Sequence, residues 1–159
     1  MPYIKVYIHF IWSTKMRQPF LETREIRQRV WKHILENAKK KGIFVDFVNG
    51  YSNHCHCLLS LCFDQSIQKL MQLIKGESSF WIHRDSKCME ILKGRKFEWQ
   101  DEYYAISVSK SILNRIRIYI KNQERTTIIN LTMMNSMNLL LNLGFRNFPP
   151  AKAGVNSLN

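Results

Sequence analysis

Residues 53–61 read Asn53-His54-Cys55-His56-Cys57-Leu58-Leu59-Ser60-Leu61, and the alternation within them decides the fold. Successive side chains of a strand point to opposite faces. Cys55, Cys57, Leu59 and Leu61 therefore form one small apolar set that belongs against a core. His54 and His56 share the other face, about 7 Å apart along it. Two neutral imidazoles at that spacing can share one divalent cation, since each offers a nitrogen lone pair and neither brings a repelling charge. They can equally be a pair of hydrogen-bonded or surface histidines.

Just upstream, residues 43–48 (IFVDFV) have strand character and lead into Asn49-Gly50, the dipeptide best suited to a tight hairpin; the histidine strand is thus expected on an antiparallel sheet. Residues 22–41 carry a helical stripe of Ile26, Val30, Trp31, Ile34, Leu35 and Ala38, stopped by Gly42. Before them, residues 3–12 (YIKVYIHFIW) are rich in aromatic and β-branched side chains and read as a strand. His9 lies within that strand without a partner in sequence, and reads as structural.

Downstream, residues 66–84 form a second helical segment with Ile67, Leu70, Met71, Ile74, Phe80 and Trp81 on its apolar side. Its Lys69 and Lys75 can touch phosphate or only water. Residues 87–96 read as a polar, basic connector broken by Gly94, residues 97–108 as a strand, and Ser109 as the cap of a last helix over residues 110–125. In that helix Ile112, Ile116 and Ile120 make the buried stripe. Arg115, Tyr119 and Gln123 repeat with the same four-residue period and meet as neighbours. The row joins a phenol nucleophile, an amide oxygen able to bind a metal and an arginine able to hold a phosphate.

The chain has 159 residues, about one domain's worth, with a formal net charge of +12 and 12% aromatic residues. That balance favours a polyanion, most simply nucleic acid, with rings available to stack on bases. No apolar run is long enough to span a membrane, and the start, Met1-Pro2-Tyr3-Ile4-Lys5, lacks the pattern of a signal peptide, so a cytoplasmic address is expected. The four cysteines, at 55, 57, 62 and 88, include neighbours along one strand, which are poorly placed to bridge. They lack the C-x₂-C spacing of a zinc ribbon. Reduced thiols are expected, with a mixed His/Cys zinc site as the alternative.

Three motifs in order, N-G-x-x-x-H-x-H (Asn49, Gly50, His54, His56), W-Q-x-x-Y-x-A-x-S-V-S (Trp99, Gln100, Tyr103, Ala105, Ser107 to Ser109) and Y-I-x-N-Q (Tyr119, Ile120, Asn122, Gln123), resemble the single-tyrosine HUH transposases. These are the small insertion-sequence transposases and the REP-associated tyrosine transposases, and the resemblance covers residues 3–125. Cys55 stands where that family prefers a bulky hydrophobic residue, and it keeps the position apolar.

The resemblance implies an α+β fold, an antiparallel sheet with helices packed on one face (ferredoxin-like or RRM-like), and a catalytic tyrosine on a C-terminal helix. It implies that Tyr119 is the nucleophile and that His54, His56 and Gln123 hold Mg²⁺ or Mn²⁺. The implied partners are single-stranded DNA with hairpins and a second copy of the chain, in a homodimer whose active site the subunits can share. Arg115, Lys69, Lys75 and Trp99 are the candidate DNA contacts. The transposase domain is expected over residues 1–130, followed at 131–159 by a divergent apolar tail whose last ten residues are disordered. All 12 acidic residues lie at or before Glu124. The alternative function is a catalytically silent or domesticated protein that grips hairpin nucleic acid without cutting it; a zinc-stabilised regulatory domain is the third reading.

Overall fold

A four-stranded antiparallel sheet organises residues 3–124, the part of the chain that the computed structural model describes. In chain order the elements are β1 (Val6–Thr14), α1 (Arg24–Lys40), β2 (Phe44–Tyr51), β3 (His54–Leu61), α2 (Ile67–Ile82), α3 (Ser86–Leu92), β4 (Trp99–Val108) and α4 (Leu113–Lys121), with a short 3₁₀ turn over Lys15–Arg17. The strands lie in the order β2-β3-β1-β4. That order, with crossover helices between β1 and β2 and between β3 and β4, is the ferredoxin-like arrangement. The residue ranges 125–130 and 131–159, for which a domain end and a tail were expected, lie outside the described residues.

Register divides the sheet into two faces. β1 pairs with β3 so that Ile8, Phe10 and Trp12 stand opposite Leu59, Cys57 and Cys55. These six side chains form the thiol face, and Ile26, Val30 and Ile34 of α1, Leu70, Met71, Ile74 and Ile82 of α2, and Cys88 and Leu92 of α3 pack on it. Each such buried side chain contributes about 1.5–3 kcal/mol of transfer free energy. Thr23, Ser66 and Asp85 cap the three helices, accepting from the backbone N–H of Ile26, Lys69 and Cys88, which satisfies donors that a helix start leaves unpaired.

The opposite face carries His9, Ile11, His56 and Leu58. α4 covers it through Leu113, Ile116 and Ile120, all buried. The fold is thus α+β as expected, with three helices on the thiol face and the tyrosine helix on the histidine face.

Three local expectations are corrected. The hairpin turn is Ser52 and Asn53, because β2 continues through Asn49, Gly50 and Tyr51, which pair with His56, Cys55 and His54. Gly50 serves close strand approach: a Cβ there would overlap the backbone oxygen of His54 and come within 2.9 Å of Cys55 Cα. The supposed connector contains α3, which forms because Asp85 caps it and Cys88 and Leu92, one turn apart, are both buried. α4 begins at Leu113 without a side-chain cap, and Ser109 Oγ bonds Ser111 Oγ instead. β1 is an interior strand flanked by β3 and β4, and among the described residues the edges of the sheet are β2 and β4.

Among the described residues no helix is long and apolar enough to cross a membrane.

Candidate active site

β3 and the turn before it place His54 at the strand's start and His56 two residues on, under α4. His9 and His56 are 2% and 5% exposed, and Gln123 just beyond α4 is 3% exposed. The Tyr119 ring stands edge-on to His56 with centroids 5.5 Å apart, and 6.3 Å from His9. Gln123 Oε1 lies 3.3 Å from His54 Nε2. Tyr119, His54, His56 and Gln123 therefore meet within one chain.

Hydrogen bonds orient these groups. Gln123 Nε2 donates to the Tyr119 carbonyl at 3.1 Å, so its amide oxygen is the atom that faces His54. Asn53 Nδ2 points at the Arg17 carbonyl, 3.5 Å away, and its Oδ1 lies 2.9 Å from His54 Nδ1. A neutral His54 has one proton for two facing oxygens. Given to the closer one, Asn53, it leaves the Nε2 lone pair pointing at the lone pairs of Gln123 Oε1. An imidazole nitrogen and an amide oxygen 3.3 Å apart are donor types that suit a divalent ion. His56 Nδ1 is engaged by His9 Nε2 at 2.9 Å, and Nε2 of His56 makes no hydrogen bond among the described residues. His54, His56 and Gln123 thus fit a metal. No group of three His, Cys, Asp or Glu suited to one occurs among the described residues; the third donor here is an amide.

Burial keeps the site neutral. It pushes His56 well below the usual imidazole value, with His9 and His54 adding to the effect, and lowers His9 to about 4. His54 is lowered by burial, against the opposing effect of the Gln123 amide. The Tyr119 phenol is raised by burial, opposed by Gln123, so it is protonated at neutral pH.

The tyrosine helix is clamped to the sheet. Asn49 Nδ2, next to His56 in the β2 register, donates to the carbonyls of Ile120 and Lys121 at 3.0 and 3.1 Å. Asp46 occupies a bulge in β2 and accepts from Arg117 Nε at 2.7 Å. Arg27 of α1, buried beside the Tyr51 ring, reaches Glu124 at 3.2 Å.

The IS200-like transposase family model matches residues 3–123, essentially the whole described region. The chain belongs to the IS200-like transposase family. A crystal structure from Deinococcus radiodurans R1, classed as a transposase, shares this member's fold with a TM-score of 0.60 at 22% identity, covering 77% of this chain and 93% of the other. A REP-associated tyrosine transposase bound to a REP hairpin aligns with a TM-score of 0.53 at 16% identity, over 82% and 72% of the two chains. No curated protein matches this IS200-like chain by sequence.

Not every candidate residue of this family member reaches the site. Trp99, expected as a DNA contact, is 6% exposed in the core, edge-on to Trp12 and donating from Nε1 to Ser78 Oγ. No ring face is left for a base. Lys75 donates to the Asp101 carbonyl at 2.7 Å and lies over Tyr103. Lys75 and Lys69 both belong to α2, on the thiol side of the sheet. Arg115 is exposed on α4, one turn before Tyr119. The zinc reading fails on geometry, because Cys55 and Cys57 are sealed on the face opposite the histidines and all four cysteines are free. Burial pushes Cys57 up to about 12.

Proposed function

We propose that the chain cleaves and rejoins single-stranded DNA at hairpin-marked ends, with Tyr119 as nucleophile and His54, His56 and Gln123 holding Mg²⁺ or Mn²⁺. The observation that carries the reading is the Tyr119 ring against His56 within one chain, beside the Gln123 amide oxygen 3.3 Å from His54 Nε2. A divalent ion bound there would polarise the scissile phosphate. Tyr119 supplies the attacking oxygen: its bond to phosphorus forms as the bond to the DNA 3′ oxygen breaks. The phenol's proton passes to solvent and the departing 3′ oxygen gains one. The product is a free 3′ hydroxyl and a 5′ phosphate carried on Tyr119. The phosphodiester linkage conserves bond energy, so a later 3′ hydroxyl can reverse the step without ATP.

Hairpin DNA enters this reading from the solved relative bound to a REP hairpin and from the net charge of +12. Arg115, exposed one turn before Tyr119, is the proposed phosphate contact. The working unit is a homodimer, for which β4, ten residues long, is an edge strand among the described residues. Since Tyr119 stands on its own chain's histidines, each subunit uses its own tyrosine in this arrangement. Free, reduced cysteines suit a cytoplasmic setting.

The test uses hairpin oligonucleotides labelled at either end and Mn²⁺. The segment 3′ of the cut should travel with the protein, and the segment 5′ of it should be released with an extendable 3′ hydroxyl. Opposite polarity, or cleavage without protein-bound label, would contradict the assignment. Tight binding without any cut would favour a silent hairpin-binding protein.

A further inference from the structure

His9 is the buried titratable group at this site for which the chemistry above has no use. It sits in the middle of β1, opposite Leu58 of β3, and its Nε2 lies 2.9 Å from Nδ1 of His56, with the two rings stacked at a centroid distance of 5.1 Å. Only one proton fits between two facing nitrogens of neutral imidazoles. If it belongs to His9, His56 carries its own proton on Nε2, and that nitrogen has no lone pair to give a metal. If it belongs to His56, Nδ1–H donates to His9 and the Nε2 lone pair of His56 is bare. Only the second arrangement lets His56 ligate a metal through Nε2.

We propose that His9 is a positioning residue: it accepts the Nδ1 proton of His56 and so locks the tautomer and ring orientation that present Nε2 to a divalent cation. This rests on the metal reading of His54, His56 and Gln123. Metal-bound imidazoles usually donate their second N–H to a carboxylate, a carbonyl or water. Here the acceptor is a second neutral imidazole, and no carboxylate bonds to either ligand histidine among the described residues. The choice has a chemical consequence. A carboxylate would offset part of the cation's charge and repel an incoming phosphate, whereas His9 fixes the ligand and adds no charge. The same logic holds on the other side of the site, where the neutral Asn53 amide orients His54.

The experiment compares the full-length protein with His9→Phe, which keeps a planar ring and removes the acceptor, and His9→Gln, whose amide oxygen can accept the same proton. Two readouts are taken. Long-range ¹⁵N–¹H correlation spectra of the metal-free proteins report which nitrogen of His56 is protonated, and Mn²⁺ titration by electron paramagnetic resonance reports affinity. The expected results are an Nδ1–H His56 in the wild type, a mixed or Nε2–H His56 in His9→Phe with Mn²⁺ binding weakened about 10- to 100-fold, and recovery of most of that loss in His9→Gln. A wild-type His56 protonated on Nε2 would overturn the proposal, as would folded His9→Phe binding Mn²⁺ like the wild type. If the wild type has the Nδ1–H tautomer but no Mn²⁺ affinity, the metal reading itself fails and the positioning role falls with it. Should His9→Phe not fold, His9→Gln decides: a folded His9→Gln with an Nε2–H His56 and weak Mn²⁺ binding would contradict the acceptor role.

Discussion

Asn49 Nδ2 holds the last carbonyls of the helix that carries Tyr119, donating to Ile120 at 3.0 Å and Lys121 at 3.1 Å. It does so from the position on β2 paired with His56, so one residue couples the nucleophile's helix to the strand of the histidines. Asn49→Ala should cost about 1–2 kcal/mol of stability for two lost bonds. It should slow covalent adduct formation about tenfold or more, because small misplacements of reacting groups are expensive. Asp46→Ala, which breaks the partly exposed pair with Arg117, should have a smaller effect on both. Single-turnover rates and thermal melts of the two variants check this ranking.

Acid should reveal the Asp85 clamp. Arg29 Nη2 and Nε bond its carboxylate at 2.6 and 3.1 Å, and the Cys88 N–H at 2.9 Å; led by the Arg29 bond, these hold Asp85 at about 2. The folded value lies below the unfolded one of about 3.9. The contribution is therefore present above about pH 4 and lost as pH falls toward 2. Asp85→Ala should cost about 1–2 kcal/mol at pH 7, the range of a lost helix cap. In denaturant melts the gap from wild type should narrow between pH 4 and pH 2, and a gap independent of pH would contradict the clamp.

DNA affinity should fall steeply with salt. Each phosphate neutralised on a single strand contributes about −0.7 to the slope of log K against log salt, so about five contacts weaken binding roughly tenfold per doubling of salt. Filter binding or anisotropy at several salt concentrations measures the slope. A flat response would argue against nucleic acid as the partner.

What the sequence revealed follows from which signals are local. Alternation in residues 53–61 separated Cys55 and Cys57 from His54 and His56, and the four-residue period put Tyr119 and Gln123 on one side of a helix. Both are properties of a single element. The role of His9 was hidden because it depends on register: Ile11 of β1 stands opposite His56, which puts His9 on the same face two residues away. Asn49-Gly50 was misread as a turn because that dipeptide's local preference matches one, while its actual use is tertiary, with Gly50 admitting the His54 backbone and Asn49 gripping α4. Trp99 was a candidate DNA contact because an aromatic ring suits a stacked base as well as a core. Burial against Trp12 and Phe97 is decided by the pairing of β4 with β1.

The most direct test of the account is whether Tyr119 becomes covalently joined to DNA. Wild-type protein, Mn²⁺ and a single-stranded hairpin oligonucleotide should give a protein–DNA adduct that survives denaturing electrophoresis. Tyr119→Phe should abolish that adduct while leaving DNA affinity within a few-fold, since the substitution removes only the phenol oxygen. An adduct that persists in Tyr119→Phe, or none with wild type under conditions where the hairpin is bound and Mn²⁺ present, would contradict the claim that Tyr119 is the nucleophile.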